Sequence, residues 1–223
     1  MTTTGSTLFW TVDSPFCRIV LWALCESNDE LVLPVHLSWT DLNDKLVAEK
    51  RLGPERTVPC LSEHQSMITS DSLRILASLQ KESFLEWLMS LDGALYRCCE
   101  GQWGRVMYSL YDGLEQNKVR PLWLQAIEST ERLVNLHDEK QHDLLKVSLG
   151  KIALHTFASF VVGLMPEWRS DMPKSLKQLL ASLEQTASFA KMQAHLNTQH
   201  HLIRCDAFSR SVAEECSSTE EAR

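Results

Sequence analysis

The chain has 223 residues, 44% of them hydrophobic and 23% charged, which suits one large globular domain or two small ones. A formal net charge of −7 without a dense basic cluster argues against a nucleic-acid partner. The longest apolar stretch, residues 152–165, is interrupted by His155 and falls short of the roughly 20 apolar residues of a membrane span, so no membrane partner is expected. Met1-Thr2-Thr3-Thr4-Gly5 offers no basic segment leading into an apolar core, which argues against a secretory leader. The seven cysteines (Cys17, Cys25, Cys60, Cys98, Cys99, Cys205 and Cys216) are odd in number and lack C-x-x-C spacing. That pattern disfavours a disulfide framework and a zinc site, and points to a reducing, cytoplasmic compartment. His200 and His201 are adjacent and cannot share a helix face, so no metal site is expected there.

In chain order, residues 7–12 are aromatic and β-branched and predict a strand. Phe16, Ile19, Val20, Ala23 and Leu24 then recur at helical spacing. Between them Ser14 is a good N-cap and Pro15 suits the first helical position. Residues 31–39 predict a second strand, with Pro34 marking an edge or a bulge. Residues 41–52 predict a short helix, and 53–61 a Gly- and Pro-marked loop running into a strand. Residues 67–69 read as another strand across a turn at 62–66. Ser70-Asp71-Ser72 is a helix start ahead of Leu73, Ile75, Leu76 and Leu79. From residue 81 to 202 no strand is predicted. Helical periodicities run through Phe84 to Leu95, Trp103 to Leu114 and Leu124 to Val134, then through 148–164, 173–183 and 187–195. The 148–164 segment is apolar all round and predicts a central buried helix.

The stretch Asp13-Ser14-Pro15-Phe16-Cys17-Arg18 carries the first chemical signal. Unpaired N–H groups and the positive end of a helix dipole converge at such a turn, where a thiolate is stabilised. A Ser14 hydroxyl could donate a hydrogen bond to that anion, or Ser14 could serve only as a cap.

Ser14-Pro15-Phe16-Cys17-Arg18 before an apolar helix resembles the start of a bacterial-type glutathione S-transferase. Thr57-Val58-Pro59 resembles the Val-Pro pair of that family, and Asp71-Ser72 its acidic-Ser pair. The resemblance implies an α+β fold, with a thioredoxin-like domain over 1–81 and an all-helical domain over 82–205; the tail over 206–223 is rich in Ser and Glu, a composition that predicts disorder. It also implies a cis Val58–Pro59 bond. The Val58 backbone would pair with the cysteinyl part of glutathione, and Asp71 and Ser72 would hold its γ-glutamyl end. Ser14 would face the sulfur. Glutathione is then the expected co-substrate, a small electrophile the second partner, and a homodimer the expected assembly. For the electrophile pocket the candidates are Tyr96, Trp103, Met107 and Tyr111, which equally suit ordinary core packing.

The chain departs from the family pattern in places. Before Val58 the usual basic position is absent, and Arg56 is the candidate substitute for holding a glutathione carboxylate. Ser148 begins the central helix, but Lys151 stands where an acidic residue would close a capping box. An Asp at 151 is therefore expected to strengthen the helix start. Thr186-Ala187-Ser188-Phe189 resembles a late family motif with substitutions. The expected activity is conjugation of glutathione thiolate to a small electrophile. The alternatives are a non-catalytic binding or regulatory module of the same fold and, through Cys17, thiol transfer.

Overall fold

The computed structural model of the chain describes residues 6–27, 32–52, 57–63, 67–79, 84–140 and 147–197. The tail expected at 206–223, Arg56, Cys205, Cys216, His200 and His201 lie outside these. Contacts divide the chain into two compact units, Met1–Phe84 with Lys191–His201, and Leu85–Ala190 with Leu202–Arg223.

The first unit is built on a four-stranded sheet: β1 (Ser6–Trp10), β2 (Val32–His36), β3 (Cys60–Glu63) and β4 (Met67–Ser70), in the order β2-β1-β3-β4. β2 lies parallel to β1, while β3 is antiparallel to β1 and β4 antiparallel to β3. Pro34 can occupy β2 because β2 is an edge strand. Period-two alternation sends Leu8 and Leu61 to one face, where Val20 and Leu24 of α1 (Pro15–Ser27) and Ile75 of α4 (Ser72–Leu79) meet them. Phe9 and Cys60 point the other way and pack with Leu37, Ala48 and Leu52.

The single helix expected over 41–52 is two helices, α2 (Trp39–Asn43) and α3 (Lys45–Leu52). Ser38 Oγ accepts from Asp41 N at 3.1 Å, and Asp41 Oδ2 accepts from Ser38 N at 3.0 Å. This reciprocal capping box starts α2 earlier than the apolar pattern suggests.

The second unit is helical: α5 (Phe84–Met89), α6 (Leu91–Cys98), a π-helical turn (Cys99–Trp103), α7 (Gly104–Tyr111), α8 (Gln116–Lys140), α9 (Leu149–Leu164), a 3-10 helix (Pro166–Asp171) and α10 (Lys174–Leu183). α11 (Ala187–Asn197) starts here, with Thr186 Oγ1 capping it by accepting from Phe189 N at 3.2 Å. Every residue from Leu149 to Val162 is buried, which is why α9 is apolar around its whole circumference. Trp103, Trp123 and Trp168 pack in series beside it, at ring-centroid distances of 4.9 and 6.0 Å.

The start of α9 corrects the expectation drawn from Lys151. The missing carboxylate comes from α6. Asp92 Oδ1 accepts from Ser148 Oγ at 2.5 Å and from Gly150 N at 3.0 Å, while its Oδ2 accepts from Trp87 Nε1 at 2.7 Å. Ser148 Oγ in turn accepts from Lys151 N at 3.4 Å. Residue 150 must be glycine, because a Cβ there would stand 2.6 Å from both the Asp92 carbonyl oxygen and its Oδ1. Lys151 is buried, 2% exposed. A second carboxylate at 151 would be buried beside the first turn that Asp92 already serves. Asp92→Asn should destabilise the fold by about 1.5–3 kcal/mol, the worth of a hydrogen bond to a charged group. Lys151→Asp should give no gain in stability. Urea melts of the two variants test both statements, and a stabilised Lys151→Asp variant would contradict the borrowed cap.

Candidate functional site

The strand registers gather three motifs at one end of the sheet. Phe9 pairs with Cys60, and Cys60 with Ser70, so these residues form one row across β1, β3 and β4. Just beyond the row, β1 leads into Ser14 and α1, β3 is entered from Val58-Pro59, and β4 leads into Asp71-Ser72 and α4. Neighbouring strands lie about 4.8 Å apart, so the row spans about 10 Å from β1 to β4. An extended tripeptide is about 10 Å long.

Ser14 is half-buried at the start of α1. Its Oγ accepts from Cys17 N at 3.3 Å, and its carbonyl accepts from Arg18 N at 3.1 Å. The hydroxyl therefore uses a lone pair to cap the helix, and its O–H is a donor that a thiolate at this helix start can accept. Arg18 is buried, 2% exposed, and its Nε donates to the Val12 carbonyl at 2.7 Å. That bond ties the turn before Ser14 to the first turn of α1. The sequence motif contains Arg18 but gives no sign of this clamp.

Cys17 is fully buried, and burial pushes its thiol up to about 12 against the opposing effects of hydrogen bonds to Thr11 and Ser14 and the Arg18 charge. A buried, protonated thiol is a poor nucleophile at neutral pH. This removes the basis for thiol transfer through Cys17. Cys25, more exposed, is raised to about 11, again by burial. None of the described cysteines forms a disulfide.

The Val58–Pro59 peptide bond is cis. Asp71 has φ +98°, the one non-glycine residue with positive φ among the described residues. Its Oδ1 accepts from Leu73 N at 2.8 Å and its carbonyl from Ile75 N at 3.1 Å, so it caps α4 in a strained conformation. Asp71 is exposed and Ser72, next to it, is buried. Backbone strain of this kind is worth about 1–3 kcal/mol and collects at ligand clamps.

The helical candidates are placed differently. Tyr96, Trp103 and Met107 are 0%, 0% and 1% exposed and form part of the core of the second unit. Trp103 Nε1 donates to Thr130 Oγ1 at 2.8 Å, and Tyr96 packs edge-on against Trp87 at 5.6 Å. Only Tyr111 of the four is exposed, at 50%. Helical spacing does not distinguish a pocket wall from a core face, and here the core took three of them. Among the described residues no group of three or more His, Cys, Asp or Glu side chains could hold a metal ion.

The sheet, its helical layers and the helical remainder define the fold of a glutathione transferase. Residues 8–86 match the family described as glutathione S-transferase, N-terminal domain. No curated protein matches the chain. Among solved structures, glutathione transferase Omega 2S from Trametes versicolor is similar at 16% identity and TM-score 0.64, over 87% of this chain and 94% of that one. A glutathione S-transferase from Methylobacillus flagellatus with glutathione bound aligns at 17% identity and TM-score 0.60, over 84% and 98%. A glutathione transferase family member from Pseudomonas fluorescens Pf-5 with bound S-(propanoic acid)-glutathione aligns at 19% and 0.57, over 84% and 96%. The chain thus resembles the glutathione S-transferase family in its N-terminal residues and shares that fold throughout the described structure.

The strain at Asp71 has a measurable consequence. Glycine tolerates positive φ and loses little as a cap, whereas alanine keeps the strain and loses the side-chain cap. Asp71→Ala should therefore be less stable than Asp71→Gly by about 1–3 kcal/mol in urea melts. Equal stabilities would show that residue 71 carries no backbone strain.

Proposed function

We propose that this chain binds glutathione along the end of its sheet and conjugates the thiolate to a small electrophile. The row Phe9–Cys60–Ser70 carries the reading, because it brings Ser14, Val58-Pro59 and Asp71-Ser72 to one edge in the order the parts of glutathione require. The γ-glutamyl carboxylate meets the N-terminus of α4 at Ser72, and its ammonium meets the Asp71 carboxylate. The cysteinyl backbone pairs with Val58 beside cis-Pro59, and its sulfur faces Ser14. Arg56 is the candidate for the glycyl carboxylate. Glutathione-bound neighbours of the same fold support this assignment.

A free thiol with pKa of about 8.5 is only about 3% ionised at pH 7. Donation from the Ser14 hydroxyl and the dipole of α1 favours the thiolate, and the proton passes to solvent. The thiolate forms a carbon–sulfur bond to the electrophile, which either expels its leaving group or takes a proton after addition. Two domains divide the work, a glutathione-binding domain over 1–81 and a helical domain over 82–205. The absence of a disulfide among the described cysteines suits a reducing cytoplasm.

A second reading is a glutathione-binding module without conjugating activity. It is favoured by the complete burial of Tyr96, Trp103 and Met107, which leaves those side chains no surface for an electrophile.

Ser14→Ala separates the two. It should leave glutathione affinity nearly unchanged, raise the bound thiol's pKa and slow conjugation by about 10- to 150-fold, the worth of one charge-assisted hydrogen bond. The lost cap should also lower stability by about 1 kcal/mol, so folding is checked at the assay temperature. Wild-type turnover with an unshifted thiol in Ser14→Ala would reduce Ser14 to a cap. Binding without turnover in the wild type would favour the module. The protein is also expected to be a homodimer. Sedimentation at micromolar concentration should give twice the 25.4 kDa of the chain, and a mass equal to one chain would exclude the dimer.

A further inference from the structure

A pair of aromatic side chains outside the assigned motifs sits at the same end of the sheet. Trp10 and His36 are the last residues of β1 and β2 and register partners in the parallel ladder. Leu37 N donates to the Trp10 carbonyl at 2.8 Å, locking the two strand ends together. The rings meet edge to face, with centroids 5.1 Å apart and planes at 74°. Trp10 is 2% exposed. Trp10 Nε1 and His36 Nε2 are both buried without a hydrogen-bond partner. Buried ring nitrogens of this kind are rare, and each calls for an explanation.

The residues after Trp10 form the turn that delivers Ser14. Arg18 holds one side of that turn through the Val12 carbonyl. His36 stands against Trp10, the residue that precedes the turn. The charged groups around His36 are Asp13 on the turn and Asp41 in the first turn of α2, and Arg51 of α3 acts in turn on Asp41.

We propose that His36 is a positioning residue for Ser14: braced against Trp10 at the end of β1, its ring sets the Thr11–Ser14 turn that follows, and charge on the ring shifts that turn. This rests on the reading that Ser14 holds the thiolate. Burial lowers the pKa of His36 below 6.5, and Asp13 and Asp41 oppose that shift. The ring is therefore neutral above pH 6.5 and takes its charge only as pH falls below that value. Because the unfolded chain accepts the proton first, stability falls with pH between 6.5 and the lowered folded value. A charged imidazolium attracts Asp13, the residue directly before Ser14, and so shifts the turn.

The test is a titration of the full, isotopically labelled chain by NMR from about pH 7.5 to about pH 4.5, without glutathione. The Ser14 and Cys17 amide shifts should move with the His36 ring, at one midpoint below 6.5. In Asp13→Asn that midpoint should fall further, because an acidic partner is gone. In His36→Gln the amide transition at that midpoint should disappear while the dispersed spectrum persists. Static Ser14 and Cys17 amides during the His36 titration would overturn the proposal. So would the same amide transition in His36→Gln, or an unmoved His36 midpoint in Asp13→Asn. Asp13→Asn keeps the test decisive if His36→Gln fails to fold. The readout needs no turnover, so failure of the conjugation reading shows separately, as an absence of glutathione binding or chemistry with these shifts intact.

Discussion

The pairing of Phe9 with Cys60 and of Cys60 with Ser70 is the constraint on which the site depends. Hydrogen-bonded registers admit no partial shift, because a one-residue slip would turn Leu8 and Leu61 out of their core face. The burial of those side chains thus fixes where three loops leave the sheet. Ser14, Val58-Pro59 and Asp71-Ser72 are brought together by the packing of the sheet on its core, to which Val58 itself contributes.

Two corners of that edge are then held by short-range chemistry. At Ser14 the hold is the cap to Cys17 N together with the buried Arg18 bond to Val12. A buried guanidinium is costly unless its donors are used, and the Val12 carbonyl uses one of them. At Asp71 it is a side-chain cap that keeps a non-glycine residue at φ +98°. In the helical unit Asp92, in the first turn of α6, accepts from Trp87, Ser148 and Gly150 and so serves the start of α9. Carboxylates at helix starts recur as a device that sets element boundaries here.

Much of the first unit was legible in the sequence. The order of elements, the edge position marked by Pro34 and the helix starts at Ser14 and Ser72 all follow from local patterns that the structure keeps. Four features were hidden for physical reasons. The start of α2 at residue 39 depends on a capping box at Ser38 and Asp41 that apolar periodicity does not register. The repair of the α9 cap by Asp92 joins residues 56 apart, and no local pattern reports such a pair. Tyr96, Trp103 and Met107 had the spacing of either a pocket or a core, and only packing could decide. Pairing of Trp10 with His36 likewise needed the strand register, since the two lie in separate strands.

Calorimetric titration of the full chain with glutathione, set beside cysteinylglycine, which lacks the γ-glutamyl group, tests the assignment of the sheet edge most directly. Asp71 and Ser72 should make glutathione bind measurably, and loss of the γ-glutamyl group should weaken binding at least about tenfold, as expected when a charged hydrogen-bonding end is removed. Equal affinities, or no heat with glutathione at all, would contradict the placement of glutathione along the row from Ser14 to Ser72.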